Sequence, residues 1–344
     1  MKSKRPKIQV FPTVIDKLAY ILPWLNDDPY ADREAILKRI VSRFELAKVA
    51  GLCERAYPRG ARYRINFNIA LPNGSKALVQ IGALQPKVQK GDVRVCVNPA
   101  RFGPDDVDHL HKMMRRIIGK IYPELMKRAR LNCLDVAVDI HGLDLSRTLV
   151  QYQYATKHTV FGKRVASRAR IDGYNFGSVK SDYMTTAYDK RGEQVHRAIQ
   201  NLVRTARSEN ESLKANAMKQ LHVARDAQPI TRVEIRGKKL KGLPLSKLPT
   251  LSNRFKWFKF ACLDAEGTQL STLTEQAFIS MCRDIGVKAA LAAFKGSTQA
   301  NNVNSFWRSH QAGWWKPETL WSQACDAVRE IGLFPDEAFS DQDD

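Results

Sequence analysis

The stretch Leu134-Asp135-Val136-Ala137-Val138-Asp139-Ile140 constrains this chain more than any other. Its apolar, β-branched content demands an extended strand, because such side chains pack well on a pleated surface and lose rotamer freedom in a helix. Within it Asp135 and Asp139 stand four residues apart, and even spacing on a strand points both to the same side. Two carboxylates therefore share one surface while Leu134, Val136 and Val138 face the core. At ~3.3 Å per residue their Cα atoms lie ~13 Å apart, too far for both to grip one ion unless the strand bends or bulges.

Periodicity places further elements. Val14 to Ile21 reads as a first strand, and residues 32–47 as a helix with Ile36, Leu37, Ile40, Val41, Phe44 and Ala47 at helical spacing. Tyr63, Ile65, Phe67 and Ile69 alternate with polar residues, Pro72-Asn73-Gly74 supplies a turn, and Ala77 to Ile81 resumes the extended pattern, a hairpin signal. Val93 to Val97 is another strand. Pro104 opens a helix whose apolar positions are Val107, Leu110, Met114, Ile117 and Ile121. Strands are expected at Met184 to Tyr188 and Thr231 to Arg236, separated by a charged helical insertion over residues 193–227. Beyond Pro244 the pattern turns helical, with a cap at Thr272 and Glu275, a stop at Gly286 and a break from Gly296 to Asn304. The expected class is α+β. A basic tail over residues 1–10 precedes a domain over 11–250 built on an antiparallel-rich sheet, and a helical C-terminal region covers 251–344.

The charge balance points to a partner class. Lys and Arg number 56 against 35 Asp and Glu, a formal +21, and such an excess concentrates polyanions. The cations cluster at Lys2 to Lys7, at Lys127, Arg128 and Arg130, at Lys163 to Arg170 and at Arg236 to Lys241, which favours a nucleic-acid surface over solubilising decoration. The six cysteines are dispersed, with no Cys-x-x-Cys pair and no zinc-finger spacing, and read as reduced, mostly buried thiols. Asp16 and Lys17 interrupt the first apolar stretch, and no run approaches the ~18 apolar residues of a membrane span, so a cytoplasmic protein is expected. The late aromatics Trp257, Phe258, Phe260, Phe306, Trp307, Trp314 and Trp315 sit among lysines and arginines, and packing of a helical core accounts for most of them better than base stacking.

Tyr188-Asp189-Lys190 is the second group able to carry chemistry. If the strand continues through it, Tyr188 and Lys190 share a face ~6.6 Å apart. A phenol with a pKa of about 10 is a weak nucleophile at neutral pH, so a neighbouring cation or metal is needed to favour the phenolate. Glu234, between Arg232 and Arg236, lies on another strand, and a carboxylate from a neighbouring strand completes a site for a hard cation such as Mg²⁺. From spacing alone, exposed acids on half-buried strands explain Asp135, Asp139 and Glu234 equally well.

The order of these pieces resembles the trans-acting replication initiators of rolling-circle plasmids, a family with relatives in filamentous phages and integrative conjugative elements. The resemblance runs from Val14-Ile15-Asp16 through Val93 to Pro99, Leu134 to Asp139, Tyr174 to Asp182 and Ala187-Tyr188-Asp189-Lys190 to Arg232-Val233-Glu234-Ile235, covering roughly residues 11–240. It implies a nicking and rejoining endonuclease in which Tyr188 attacks a phosphodiester at the replication origin, leaving a 5′-phosphotyrosyl link and a free 3′-hydroxyl, with Lys190 beside it. Tyr174 and Tyr183 are the nearby rivals. The resemblance also implies Mg²⁺ or Mn²⁺ on Asp135, Asp139 and Glu234, origin DNA as substrate, a homodimer, and host helicase, polymerase and single-strand-binding protein as partners. DNA contacts are expected from Lys163, Arg164, Lys180, Arg232 and Arg236. Cys133 stands where relatives commonly carry arginine, and Cys96 where some carry a carboxylate.

Two other readings accompany this one: a non-catalytic origin-binding or repressor protein, and a relaxase that holds its metal with His109-Leu110-His111. The helical period from Pro104 to Ile121 opposes the latter, since residues two apart on a helix diverge by ~200°. No Gly-x-x-x-x-Gly-Lys-[Ser/Thr] is present, so no ATP-driven helicase step is expected of the chain itself.

Overall fold

The apolar alternation around Asp135 and Asp139 forms one continuous strand, Arg130–His141, in the computed structural model of the protein. The structure describes residues 7–23, 33–58, 62–89, 91–155, 158–162, 164–165, 168–169, 171–178, 180–207 and 209–340. The chain divides into two units. One comprises Met1–Thr13, Ala137–Ile235 and Asn253–Leu320, and the other Val14–Val136, Arg236–Ser252 and Trp321–Asp344. Strand Arg130–His141 passes from the second to the first between Val136 and Ala137.

The second unit contains the predicted hairpin. Strands Tyr63–Ala70 and Lys76–Ala83 pair antiparallel with Ile69 opposite Ala77, and Gly74 takes the positive φ of +81° that the tight connection requires. Val95 of Val93–Val97 is opposite Val79 on one side and Tyr20 of Val14–Leu22 on the other, so the centre of this sheet is apolar. Helix Arg33–Val49 lays Leu37, Ile40, Phe44 and Ala47 inward, and the Phe44 ring stacks on Phe67 at 4.6 Å. The second helix, Asp106–Ile118, stops at Gly119, where φ is +99°. Ile121 is therefore not part of its apolar face as expected. It is 38% exposed and precedes a separate short helix, Tyr122–Lys127.

In the first unit, Ile230–Gly237 lies between Arg130–His141 and Tyr183–Asp189, followed outward by Gly173–Phe176 and His158–Phe161. The outer pairings are antiparallel, with Ala187 opposite Tyr174 and Thr185 opposite Phe176. A second sheet forms from Thr148–Tyr152 and Phe258–Cys262, Phe260 opposite Val150. It packs on the first through aromatic rings: Tyr152 stacks on Phe176 at 5.5 Å, and Phe176 meets Phe258 edge-on at 5.8 Å. Helices Thr272–Asp284, Val287–Ala293 and Ala300–Ser309 then bury Phe278, Val287, Val303 and Phe306 against Leu149 and Ala261. The fold is α+β with a large antiparallel-rich sheet. No helix among the described residues is long and apolar enough to cross a membrane.

Several local expectations are corrected. Phe258–Cys262 is a strand, not part of a wholly helical region: Lys259 alternates outward between buried Phe258 and Phe260, a period-2 signal that a charged, aromatic context concealed. The charged insertion is helical as expected, but it starts at Lys190 and is divided into two helices, Lys190–Thr205 and Glu211–Asp226, the second capped by the Asn210 side chain. The cap ahead of Glu275 is Ser271, whose hydroxyl accepts from Thr274 N–H, and Asn304 lies inside a helix where a break was expected. The late aromatics Phe258, Phe260, Phe306, Trp307 and Trp315 are all buried, as core packing requires.

If the two sheets are held by their aromatic layer, Phe258→Ala should destabilise this unit by about 3–5 kcal/mol while Lys259→Ala changes little. Urea unfolding followed by tryptophan fluorescence measures the difference.

Candidate active site

The direction of each side chain on Tyr183–Asp189 follows from its pairing. Thr185 and Ala187 lie opposite Phe176 and Tyr174, so they face the aromatic layer and are buried. Thr186 and Tyr188 project from the other side, and Tyr188 is half-buried. Asp189 follows Thr185 and Ala187 in the alternation, and it lines a pocket of about 230 Å³ together with Thr231, whose hydroxyl donates to the Leu143 carbonyl. Alternation along Ile230–Gly237 then puts Arg232 and Glu234 on the side of Tyr188.

The strand ends one residue after the tyrosine. Asp189 takes an extended backbone, and its carboxylate accepts from Gly192 N–H at 2.8 Å, capping helix Lys190–Thr205. Lys190 is thus the first residue of a helix and does not continue the strand face, contrary to the expectation. The turn into the helix still leaves its ammonium 5.8 Å from the centroid of the Tyr188 ring, within reach of a cation–π attraction. Glu193, one helical turn on, accepts from Lys190 Nζ at 2.6 Å and also pairs with Arg197. Lys190 is only 9% exposed, so the carboxylate offsets much of the cost of placing an ammonium there. Sequence reasoning missed both Asp189 as a cap and Glu193 as the lysine's partner, although an Asp followed by a first-turn Glu is a recognisable helix start.

The rival tyrosines are differently placed. Tyr174 is 1% exposed with its hydroxyl donating to the Thr148 carbonyl at 3.3 Å, and burial pushes its phenol up to about 12. A group so desolvated is neither accessible nor readily ionised. Tyr183 carries the Arg254 guanidinium flat on its ring, 3.5 Å from the centroid. That contact assigns it to packing around the second sheet.

Among the acids, Asp139 is engaged by Arg232 in a two-pronged pair, Nε to Oδ1 and Nη2 to Oδ2, each 2.7 Å. Both carboxylate oxygens are used by a planar donor fork, the geometry in which arginine binds carboxylate most tightly. Arg232 is 8% exposed and Glu234 3%, so the face near these strands is polar but largely closed. Asp135 belongs to the other unit, where it is 8% exposed and lies 3.6 Å from the Cys133 sulfur. Burial, and secondarily the Asp135 charge, pushes the Cys133 thiol up to about 12, an inert buried thiol. No group of three or more His, Cys, Asp or Glu side chains able to hold a metal is found among the described residues. Of the three acids named for Mg²⁺ or Mn²⁺, Asp139 is engaged by Arg232, Glu234 lies on the neighbouring strand, and Asp135 belongs to the other unit.

The expected DNA contacts lie on different elements. Lys180 is exposed in the turn before Tyr183–Asp189, and its backbone N–H donates to Ser178 Oγ. Arg236 lies in the other unit at the end of Ile230–Gly237. Arg164 sits in a two-residue strand paired with Arg168–Ala169 and is described only by its backbone, and Lys163 falls outside the described residues. His109 and His111 lie on helix Asp106–Ile118, and His111 Nδ1 is 2.9 Å from the Tyr122 hydroxyl, a packing arrangement.

Because Asp139 is about a quarter exposed, breaking its pair should fall at the low end of the ~3–5 kcal/mol typical of buried ion pairs. Arg232→Met alone should show that loss in chemical denaturation. Arg232→Met combined with Asp139→Leu should be less costly than the two single changes added together, and strict additivity in the double-mutant cycle would contradict a coupled pair.

No family model matches the chain, and no curated protein matches it. Among solved structures it is similar to a rolling circle replication initiator protein from Geobacillus stearothermophilus, at 13% identity over 77% of this chain and 89% of that chain, with a TM-score of 0.32. A likeness of that size assigns no chemistry to this chain.

Proposed function

We propose that the protein is a rolling-circle replication initiator that cuts and rejoins one DNA strand through Tyr188. The observation that carries this reading is the position of Tyr188. Of the three tyrosines in the Tyr174–Tyr188 region, it alone is half-buried on the sheet side away from the aromatic layer, with a lysine ammonium beside its ring. The formal charge of +21 supports a polyanionic substrate, and binding should weaken steeply as salt rises because phosphate contacts release counterions.

In this proposal the Tyr188 oxygen attacks phosphorus as its proton leaves. The Oη–P bond forms, the P–O3′ bond breaks, and the departing 3′ oxygen takes up a proton. The bond exchanged is equivalent to the bond broken, so the reverse reaction rejoins the strand without an external energy source. Lys190 stabilises negative charge on the phenolic oxygen, and Glu193 fixes where that ammonium sits. The Asp139–Arg232 pair holds strands Arg130–His141 and Ile230–Gly237 in register beside the tyrosine strand. A requirement for Mg²⁺ or Mn²⁺, with Asp135 and Glu234 as the acids still to be tested, belongs to the same proposal, as do the homodimer and the host replication partners.

Supercoiled origin DNA is the substrate for the test. Tyr188→Phe should abolish nicking and the covalent DNA–protein adduct while changing DNA affinity by less than about twofold, whereas Tyr174→Phe should retain the adduct. Lys190→Met should slow cleavage about 10²-fold or more, the usual loss on removing one charge-stabilising group. Peptide mapping that places the adduct on any residue other than Tyr188 would sink the assignment. An unchanged Tyr188→Phe protein in every assay would favour an origin-binding or repressor protein instead.

A further inference from the structure

The second unit contains a pocket of about 360 Å³ that none of the chemistry above uses. Its floor is Tyr122, Met126 and Phe334, all nearly fully buried, with Pro123 and Pro335 beside them. Lys112, Arg115 and Lys127 line its rim together with one acid, Asp108. Lys112 and Arg115 are exposed and three residues apart on helix Asp106–Ile118, so they share a face, which Arg116 extends. Lys127, at the same opening, lies 3.4 Å from Glu124 in a half-exposed pair.

The floor is held rigid by a group that the sequence marked out for other reasons. His111 Nδ1 and the Tyr122 hydroxyl lie 2.9 Å apart, and Gly332 lines the same pocket beside them. The imidazole therefore ties helix Asp106–Ile118 to helix Tyr122–Lys127. Burial favours its neutral form, so the pocket's positive charge comes from the rim alone.

We propose that this face binds single-stranded nucleic acid, with phosphates on Lys112, Arg115 and Lys127 and one unpaired base inserted over the Tyr122–Met126–Phe334 floor. Charge complementarity selects the polyanion: three cations and one acid line the pocket in a chain with a formal charge of +21. Shape selects the single strand. A volume of 360 Å³ is near the lower end of the ~300–1,000 Å³ of small-ligand pockets, which admits one ring system and excludes a paired duplex. Combining a basic track with an apolar seat for a base is how proteins hold single strands without reading long sequences. Asp108 adds an acceptor at the rim, suited to an exocyclic amine of the inserted base. The inference extends the proposed function but does not depend on strand cleavage.

The test is fluorescence anisotropy of the full chain with a labelled oligodeoxycytidylate and with an abasic strand of equal length and charge. The wild-type protein should bind the abasic strand about tenfold more weakly, as when one stacked base is removed. Lys112→Glu/Arg115→Glu should lower affinity for both strands, erase the difference between them, and flatten the slope of log K against log salt by about 1.4, or ~0.7 for each phosphate no longer neutralised. Lys38→Glu/Arg39→Glu, exposed on helix Arg33–Val49, makes the same change in net charge and should leave the discrimination intact. Equal binding of intact and abasic strands by the wild type would overturn base insertion. An equal loss in the Lys38/Arg39 control would overturn the location. A Tyr188→Phe protein that still nicks while the strand preference holds would remove the proposed chemistry and leave this inference standing.

Discussion

Pairing of Tyr183–Asp189 with Gly173–Phe176 is the constraint on which the candidate site depends. Once Ala187 lies opposite Tyr174 and Thr185 opposite Phe176, the aromatic layer claims one side of the strand, and Tyr188 has to leave from the other. A shift of one residue would exchange the two sides, burying Tyr188 among Tyr152, Phe176 and Phe258 and releasing Ala187. The hydrophobic layer therefore does more than stabilise the unit. It fixes which phenol lies on the side away from the aromatic layer and which is sealed within it.

Polar interactions then refine what packing has set. Asp189 ends the strand by satisfying a helix N-terminus, and that turn brings Lys190 over the neighbouring ring, where Glu193 anchors it. On the adjacent strands Arg232 and Asp139 neutralise one another in a largely enclosed setting. Removing one member of such a pair leaves a charge with little water to solvate it, so the pair enforces the alignment of the strands that carry it. Asp139 thereby acquires a structural role that competes with ligating an ion.

The two units divide the chemistry of the chain differently. The tyrosine-bearing unit offers a half-buried phenol beside charged groups, whereas the other offers an apolar seat with a basic rim and a histidine in its wall. His109-Leu110-His111, read as a sequence motif, suggests a metal site. On a helix its two rings separate, and His111 packs against Tyr122 of the next helix instead. The same residues support a different role once the period of the element is known.

What the sequence determined by itself is everything that local periodicity and turn chemistry encode: strand Arg130–His141, the hairpin around Pro72-Asn73-Gly74, helix Arg33–Val49, and the strands carrying Tyr188 and Glu234. Each is specified by neighbours a few residues apart, so its pattern is visible in one dimension. Tertiary structure decided what depends on distant partners. Phe258–Cys262 became a strand because Thr148–Tyr152 was available to pair with it, and Asp139 met Arg232 across 93 residues of chain. The partial exposure of Tyr188 and the full burial of Tyr174 were decided in the same way, because burial and charge pairing depend on which surfaces meet, and no short window of sequence contains both surfaces.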